Sequence, residues 1–493
     1  MGVIEKPERI FDRSFEWRSL ASFAGRPGPA ARLAIVSGRR RQGKTYLVEA
    51  LARATGGLYF GATEATEAES LQLFAQALAR WTDAPAPPLL SDWDQAIRYM
   101  FTVNAERSAG AERSSLVVID EFPYLSKVSP ALPSIIQREL DHNATHDRPG
   151  SLLLCGSAMS VMGRLLAGSA PLRGRAGLEL VVRPFDYPTA AQFWQIGDSR
   201  LAVLLHSVVG GTPAYRQFAG GRAPESAGEF DQWLLDTVLS PATPLFREAR
   251  YLLEEETDVR DRALYHSVLS AVANGNNTRG RIANFIGRKA ADIGHHLNVL
   301  EDAALLAREP DLFRSGRSTY RVAEPLLVFY QVVMRPQWGL LESGRAAQVW
   351  RSARARFLAQ VIGPHFEQLA REHALAAPEG TFAELPGEVG SGTVADPDRR
   401  TQIQLDVVVL APGAPGKPRR VLALGEAKWG EAVGARHVER LRRARDLLVR
   451  RGYDAADAAL VCYGAAGFEP TLTELPDTLT VDPDRLYADA TSS

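Results

Sequence analysis

The sequence lacks the features of an extracellular or membrane-spanning protein. Its 493 residues include two cysteines, Cys155 and Cys462, which lie far apart inside apolar runs. They offer neither a disulfide framework nor a zinc site, and they are typical of small core residues in a reducing compartment. No apolar stretch reaches the roughly 18 residues of a membrane span. The N-terminus, which mixes charges and contains proline, has no signal-peptide pattern. We therefore expect a cytoplasmic protein without a membrane partner.

An excess of charge of either sign is also absent. Lys and Arg together number 57 and Asp and Glu 58, for a formal net charge of −1. Any affinity for nucleic acid must therefore come from local basic patches. Hydrophobic residues make up 45% and charged residues 23% of the chain, as in an ordinary globular protein. The length exceeds what one core serves and predicts about three domains.

What the sequence does contain is a phosphate-binding loop. Residues 38–45 match the pattern G-x-x-x-x-G-K-[ST] without a mismatch. The apolar run 33–37 predicts a buried strand entering the loop, and 46–53 predict a helix leaving it, so that backbone N–H groups converge on an anion. We expect Lys44 to reach the β- and γ-phosphates of a nucleotide and the Thr45 hydroxyl to bind Mg²⁺. The residues expected to contact the nucleotide are Gly38, Arg39, Arg40, Arg41, Gln42, Gly43, Lys44 and Thr45.

A second apolar run ends in two adjacent carboxylates. Residues 116–119 are all aliphatic, and Asp120 and Glu121 follow them. An unbroken apolar run is typical of a strand buried on both faces of a parallel sheet. A carboxylate pair after a strand is often only a helix cap, but downstream of a phosphate-binding loop it predicts catalysis. We expect Asp120 to join the Mg²⁺ shell and Glu121 to polarise the water that attacks the γ-phosphate. The two motifs predict that the chain binds and hydrolyses ATP or GTP.

The order of strands and helices predicts an α/β protein of four modules. Apolar strands at 33–37, 57–62, 115–120 and 151–155 alternate with helical runs, which indicates a parallel sheet covered on both faces. A mostly helical stretch follows. Residues 262–322 then predict three helices and a hairpin, the arrangement of a winged helix-turn-helix. The expected modules are a P-loop ATPase core at 1–187, a helical lid at 188–255, a winged helix-turn-helix at 256–340 and an α/β domain at 345–493.

Two basic segments raise the question of DNA contact. Just before and on the third helix of the expected winged module lie six basic side chains, so this module either contacts DNA or serves only for packing. They are Arg279, Arg281, Arg288, Lys289, His295 and His296. A predicted helix at 436–451 carries seven arginines, which form either a solvated face or a phosphate-backbone contact. They are Arg436, Arg440, Arg442, Arg443, Arg445, Arg450 and Arg451.

Three chemically active side chains lie on two predicted strands of the last module. Asp406 opens one apolar run, and Glu426 and Lys428 close the next. Residues 411–419 predict a turn between them. A register symmetric about that turn places residue 406 opposite residue 424, so that the three side chains share one face.

Such a cluster would bind a second divalent metal and activate water against a phosphodiester. Asp406 and Glu426 would be ligands of that metal, with Glu367, on the preceding predicted helix, as a further ligand. The alternative is a salt-bridged sheet edge without chemistry.

Taken in order, the motifs resemble those of the archaeal-type P-loop ATPases, relatives of the AAA+ and STAND classes. These proteins carry a C-terminal domain similar to PD-(D/E)XK nucleases, so the resemblance implies a restriction-endonuclease-like fold for the last module, with Asp406, Glu426 and Lys428 as its signature. Residues 10–20 are similar to the family's F-x-G-R-x-x-E-x-x-L box, which implies that Arg13 lies beside the nucleotide base. Asp12 stands where the family has glycine.

The same resemblance assigns roles to residues outside the two main motifs. Ser157, after a strand similar to the family's sensor strand, would sense the γ-phosphate. Arg173 or Arg175, in a segment similar to the P-L-x-G-R box, would supply positive charge in cis or to a neighbouring subunit. Pro213 matches the G-x-P element of the helical lid, beside the nucleotide.

Several functions remain open on the sequence. One is an ATP-dependent enzyme acting on DNA, in which the nucleotide state licenses a metal-dependent nuclease. Another is a STAND-like switch whose C-terminal domain only binds a partner or DNA, with nucleotide-dependent homo-oligomerisation. A chaperone-like ATPase that remodels a protein has no support beyond the shared core.

Overall fold

The computed structural model describes residues 4–109, 115–254, 261–413 and 419–491, apart from residues 27, 29, 473, 474 and 476. The chain forms two compact units, the first built on Met1–Pro184 and the second on Phe185–Leu253 and Val259–Ser493. Within the described ranges, every helix is too short or too polar for a membrane span. Both cysteines are free and buried, which confirms that they are core residues.

A parallel sheet forms the centre of the first unit. Its strands are β1 (Ala31–Ser37), β2 (Leu58–Gly61), β3 (Leu116–Asp120), β4 (Gly150–Gly156) and β5 (Ala176–Val181). They lie in the order β2-β3-β4-β1-β5, and each neighbouring pair is parallel. The helices are α1 (Ser14–Gly25), α2 (Lys44–Thr55), α3 (Glu67–Thr82), α4 (Trp93–Ser108), α5 (Phe122–Val128), α6 (Leu132–Thr145) and α7 (Met159–Arg164). The predicted parallel sheet is confirmed.

Alternate residues of the central strands enter two separate cores. Leu33 and Ile35 pack with residues of α3 to α7 on one face. Ala34 and Val36 pack with α1 and α2 on the other. A strand buried on both faces needs an apolar residue at every position, which is why these strands read as unbroken apolar runs.

The edge strand β5 was missed by the sequence pattern. Its residues alternate between exposed and more buried positions, and it pairs with β1 along one side only. Because an edge strand is partly exposed, its sequence does not contain the unbroken apolar run from which the central strands were predicted.

The second unit begins with helices and a hairpin. The helices are α8 (Tyr187–Trp194), α9 (Ser199–Val209), α10 (Ala214–Phe218), α11 (Phe230–Asp236), α12 (Pro244–Glu254), α13 (Arg262–Ala273), α14 (Arg279–Phe285) and α15 (Gly294–Asp302). The antiparallel strands β6 (Leu306–Pro310) and β7 (Ser318–Val322) follow. The Thr278 side chain caps α14 by accepting a hydrogen bond from the Arg281 N–H.

A nearly continuous helical stretch leads to the C-terminal part. It contains α16 (Pro325–Phe329), α17 (Trp338–Glu342), α18 (Ala346–Phe357) and α19 (Gly363–Leu375). A π-helical turn, Leu358–Ile362, joins α18 to α19. Pro364 lies in the first turn of α19, directly after this π-helical turn.

A mixed five-stranded sheet forms the C-terminal part. Its strands are β8 (Glu388–Asp396), β9 (Thr401–Leu410), β10 (Val421–Lys428), β11 (Ala459–Gly464) and β12 (Thr478–Val481), in the order β12-β11-β10-β9-β8. The helices α20 (Ala435–Arg450) and α21 (Pro483–Thr491) complete it. The first strand of this sheet, β8, begins at Glu388.

The register of β9 and β10 differs from the expected one. Val407 pairs with Gly425, so residue 406 is level with Glu426 instead of residue 424. An irregularity between Val421 and Ala423 shifts the pairing of β10 with β9. The expected register assumed a symmetric turn and therefore did not include this shift.

The loop of the β6–β7 hairpin is packed against the C-terminal sheet. The Leu312 N–H donates to the Ser391 carbonyl at 3.1 Å, and the Asp311 carboxylate accepts from the Thr393 N–H at 3.1 Å. Leu312 belongs to the same core as α20. Gly392 leaves room for Phe313, since a Cβ atom there would lie 2.5 Å from its ring.

Candidate functional site

The loop between β1 and α2 has the backbone that phosphate binding requires. Gly38 and Gly43 adopt positive φ angles of 152° and 86°. A Cβ atom at Gly38 would lie 2.4 Å from the Val182 carbonyl oxygen, so no side chain fits there. Arg41 also takes a left-handed φ of 68°. The loop thus turns tightly into the N-terminus of α2, where helix N–H groups are free to meet an anion.

Lys44 lies inside this loop. Its side chain is buried, with 4% of the residue exposed, and its ammonium donates to the Arg39 carbonyl at 2.8 Å. Burial lowers the pKa of Lys44, against the opposing charges of Glu121 and Asp120. Thr45, next to it, is exposed. A buried ammonium beside an open hydroxyl suits a phosphate with a bound metal ion.

The two carboxylates lie at the end of β3. Asp120 is buried, and its two oxygens accept from the Glu121 N–H at 2.9 Å and from the Tyr59 hydroxyl at 3.1 Å. Glu121 has a left-handed φ of 51° and precedes α5. Ser157, just after β4, donates to the Glu121 carboxylate at 2.8 and 3.1 Å.

The strand order explains why these groups meet. Strand β4 lies between β1 and β3, with Ser37 opposite Gly156. The loop, Ser157 and the carboxylates therefore lie at the same carboxyl edge of a parallel sheet, which is where such sheets bind ligands. The structure brings Lys44, Asp120, Glu121 and Ser157 together.

Arg13 contacts the loop from the N-terminal segment. It is 6% exposed and left-handed, with a φ of 60°. Its guanidinium donates to Glu16 at 2.9 Å and to the carbonyl of Gln42 at 3.2 Å. The contact thus joins residues 10–20 to the backbone of the phosphate loop. Its expected contact with the nucleotide base stays a prediction.

The roles expected of Arg40, Arg173, Arg175 and Pro213 at the nucleotide site stay predictions. Arg175 forms two hydrogen bonds of 2.8 Å with the carboxylate of Asp141 on α6, and Arg173 donates to the Gly168 carbonyl. Arg40 donates to the Tyr124 hydroxyl at 2.5 Å. Pro213 is in the second unit, at the start of α10.

Tyr59 was not found from the sequence. It lies on the short strand β2 and contacts Asp120, which is far away in sequence. Burial raises the pKa of its phenol, and the neighbouring Asp120 carboxylate raises it further. An aromatic residue in a short strand is typical of a core position, so only the knowledge that β2 pairs with β3 would have pointed to it.

The second unit contains a cluster of charges at the β9–β10 pair, which we call the C-terminal charge cluster: Glu367, Asp406, Glu426, Lys428 and Arg440. The Lys428 ammonium lies 2.9 Å from Glu426 Oε1 and 3.5 Å from Asp406 Oδ2. The Arg440 guanidinium lies 2.6 Å from the same Glu426 oxygen. The expected convergence of Asp406, Glu426 and Lys428 is present in spite of the shifted register.

Glu367 faces this cluster from α19. Burial raises the pKa of its carboxyl to about 8, and the Asp406 carboxylate adds to the shift. The neighbouring Arg371 donates to the Asp406 carbonyl at 3.0 Å and lies 3.8 Å from Glu309 of β6. The hairpin is thereby joined to the cluster.

The cluster is not arranged as a ready metal site in this structure. Among the described residues, no group of three or more His, Cys, Asp or Glu side chains is arranged to hold a metal ion. The physical reason lies at Glu426, whose Oε1 holds two cationic side chains, Lys428 and Arg440. Its Oε2 is buried without a hydrogen-bond partner, but one open oxygen is not a ligand set. The metal-ligand role expected of Asp406, Glu426 and Glu367 stays a prediction.

The arginines of the α20 region are engaged within the chain. Each of the seven contacts a carboxylate or a carbonyl oxygen of the second unit. The contacts are Arg436–Glu431, Arg440–Glu426, Arg442–Asp477, Arg443–Asp396, Arg445–Asp477, Arg450–Asp398 and Arg451 with the Ala395 carbonyl. Charges paired in this way have less to gain from a phosphate backbone, which favours the structural interpretation.

The basic residues of α14 and α15 divide into two groups. Arg279 donates to the Ala290 carbonyl at 2.7 Å, and the His296 ring packs 5.1 Å from that of Tyr265. The members of the other group are Arg281, Arg288, Lys289 and His295, which are exposed as Arg279 is.

Comparison with known proteins agrees with the fold. No family model matches the chain. The uncharacterized protein MJECL04 of Methanocaldococcus jannaschii is 24% identical over 316 residues, which are 63% of this chain and 66% of that protein. The chain thus spans slightly less than two thirds of this relative.

Two solved structures are similar. The Walker-type ATPase PABY2304 of Pyrococcus abyssi shares 19% identity and a TM-score of 0.51 over 67% of this chain and 99% of its own. The Aeropyrum pernix ORC2 protein, solved as ADPNP–ADP complexes, shares 14% identity and a TM-score of 0.44 over 70% and 98%. The protein has the α/β fold of a Walker-type ATPase.

Proposed function

We propose that the protein binds MgATP at residues 38–45 and hydrolyses it. The observation that supports this most is the single sheet edge at which the phosphate loop, Asp120, Glu121 and Ser157 meet. The resemblance of the loop and of the carboxylate pair to those of the archaeal-type ATPases favours ATP over GTP.

Each group has a role that follows from its position. Lys44 and the N–H groups of the loop would bind the phosphates, and Thr45 with Asp120 would hold Mg²⁺. Mg²⁺ held by these residues would neutralise phosphate charge. Glu121 would orient and deprotonate the attacking water. Ser157, which already holds Glu121, would report on the γ-phosphate.

Calorimetric titration with ATP and a turnover assay test this proposal. We expect Lys44→Ala to lose binding, and Glu121→Gln to keep binding while turnover falls at least 100-fold. Arg53→Ala is the control, because Arg53 lies on the same helix but is exposed and paired with Glu49. Absence of nucleotide binding, or equal binding by wild type and Lys44→Ala, would overturn the proposal.

We further infer that the second unit acts as a nucleotide-dependent switch whose C-terminal part binds rather than cleaves. The lid, winged-helix and nuclease-like assignments within this unit are part of the proposal. What favours a non-cleaving role is Glu426, whose carboxylate is occupied by Lys428 and Arg440. The second candidate, a metal-dependent DNA nuclease, is supported by the convergence of Asp406, Glu426 and Lys428 on one sheet edge.

A cleavage assay separates these two candidates. Linear, nicked and single-stranded DNA would be incubated with Mg²⁺ or Mn²⁺, with and without ATP. We expect ATP turnover without cleavage. Cleavage that Lys428→Ala abolishes while ATP turnover persists would establish the nuclease, and Lys44→Ala would then show how far ATP controls it.

DNA binding is a separate part of the proposal. It is supported by the exposed Arg281, Arg288 and Lys289, whereas the hairpin loop is already packed against the C-terminal sheet. Fluorescence anisotropy with duplex DNA should show binding that weakens in Arg281→Ala/Lys289→Ala and falls with salt. Arg436→Ala, an exposed but paired arginine on α20, is the matched control. Equal affinity in all three proteins would exclude this surface.

Nucleotide-dependent assembly completes the proposal. Arg173 is exposed and would complete the site of a neighbouring subunit. Sedimentation with and without a non-hydrolysable ATP analogue tests assembly. Mixing Arg173→Ala with Lys44→Ala should restore part of the turnover if the arginine acts across subunits. No assembly with the analogue would exclude that role.

A further inference from the structure

The Tyr59 hydroxyl is directed at the carboxylate expected to bind the metal ion. It donates to Asp120 Oδ2 at 3.1 Å, while the backbone N–H of Glu121 donates to Oδ1 at 2.9 Å. Each oxygen of Asp120 thus has a donor, and the buried Cys155 thiol makes a further hydrogen bond with this carboxylate. Because an oxygen has lone pairs in two directions, a carboxylate held in this way can still offer one to a metal ion.

The contact depends on a specific pairing of strands. Gly61 of β2 lies opposite Asp120 of β3, and Tyr59 lies opposite Val118. Tyr59 and Gly61 share one face because side chains alternate along a strand. The tyrosine ring reaches past Gly61 to Asp120, since a Cβ atom at Gly61 would lie only 3.3 Å from the tyrosine hydroxyl. The absence of a side chain at residue 61 therefore keeps the path open.

We propose that Tyr59 is a positioning residue for the metal ion of the nucleotide site. It acts through Asp120, by fixing which oxygen lone pair faces the metal that Thr45 and the phosphates share. This inference rests on the proposed function, because it assumes a nucleotide-bound Mg²⁺. Outer-shell partners of a metal ligand are typically worth about 10–100-fold in metal affinity.

The test measures how much Mg²⁺ strengthens ADP binding, by calorimetry in the presence of Mg²⁺ or of EDTA. In Tyr59→Phe we expect the strengthening factor to fall about tenfold, the lower end of that range, while metal-free ADP affinity stays that of wild type. The Mg²⁺ concentration for half-maximal ATP turnover should rise by a similar factor. Gly61→Ala, which crowds the hydroxyl, should act in the same direction. Tyr99→Phe, a partly exposed tyrosine on α4, is the control.

A double-mutant comparison makes the assignment specific. If Tyr59 works through Asp120, Tyr59→Phe should have no further effect on the strengthening factor in an Asp120→Asn background. A Tyr59→Phe protein with the wild-type factor would overturn the inference. So would an equal loss of ADP affinity with and without Mg²⁺, since that indicates a merely structural role. Wild-type protein that binds no ADP at all would instead overturn the proposed function.

Discussion

Ser157 donates its hydroxyl to both carboxylate oxygens of Glu121, at 2.8 and 3.1 Å. The two residues are far apart in sequence and meet because β4 lies beside β3. The serine therefore fixes the carboxylate proposed to activate water. The proposed role of Ser157 at the γ-phosphate would require this contact to loosen when the phosphate competes for the hydroxyl.

Ser157→Ala should leave ATP affinity nearly unchanged and lower turnover. A misplaced catalytic group costs up to about 100-fold in rate, so we expect a 10–100-fold loss in kcat. Steady-state ATPase kinetics measure it. Ser157→Thr, which keeps a hydroxyl, should retain more activity than the alanine variant. Equal activity of wild type and Ser157→Ala would contradict the role.

Gly38→Ala should weaken nucleotide binding and stability together. Its Cβ atom would meet the Val182 carbonyl at 2.4 Å, and neither of these backbone segments can move easily. A positive φ adds strain of about 1–3 kcal/mol. Thermal unfolding with and without ATP reports both effects. Gly163→Ala is the control, because nothing lies within 4 Å of a Cβ atom there.

Arg440→Ala should destabilise the second unit more than Arg436→Ala. Arg440 contacts Glu426, whose side chain is 1% exposed, whereas Arg436 contacts Glu431, which is 48% exposed. Removal of the Arg440 side chain leaves Lys428 as the remaining cation beside the buried Glu426 carboxylate. We expect about 1–2 kcal/mol for Arg440→Ala, because the arginine itself is partly exposed, and less than 0.5 kcal/mol for Arg436→Ala. Urea unfolding measures the difference, and equal values would contradict it.

The free energy of unfolding should fall as the pH rises from 4.5, the usual pKa of a glutamate carboxyl, to about 8, the pKa of Glu367 in the folded protein. Burial raises the pKa of this carboxyl to about 8, from a usual 4.5. Between these values the folded state binds more protons than the unfolded state, so the free energy of unfolding decreases with rising pH and levels off above about pH 8. Glu367→Gln cannot ionise and should lack this component. Urea unfolding of both proteins from pH 5 to 9 measures the difference, which should disappear at the acid end.

Gly392→Val should detach the β6–β7 loop from the C-terminal sheet. A Cβ atom there would lie 2.5 Å from the Phe313 ring. We expect a cost of about 1–3 kcal/mol, as for overpacking, together with faster proteolysis within residues 311–317. Gly430→Ala is the control, because a Cβ atom there has no neighbour within 4 Å. Unchanged proteolysis in Gly392→Val would show that the loop is not held by this contact.

Much of the nucleotide site was predictable from the sequence. Phosphate binding needs glycines, lysine and threonine at fixed spacing in one short segment. Residues 38–45 could therefore be recognised without any knowledge of distant contacts. The apolar runs of β1, β3 and β4 were equally clear, because strands buried on both faces are mostly apolar. The edge strand β5 and the half-exposed strand β12 lack such runs and were missed.

The sequence by itself determined the parallel sheet, its phosphate loop and the two carboxylates at the end of β3. Tertiary structure decided the rest: Tyr59 on Asp120, Arg13 on the loop backbone, and Arg440 beside Lys428 on Glu426. These contacts depend on which strands are neighbours and on their register, and a shift within one strand is invisible in the hydrophobic pattern. A motif specifies the groups that a ligand needs, but only the packed chain fixes whether another side chain already occupies them.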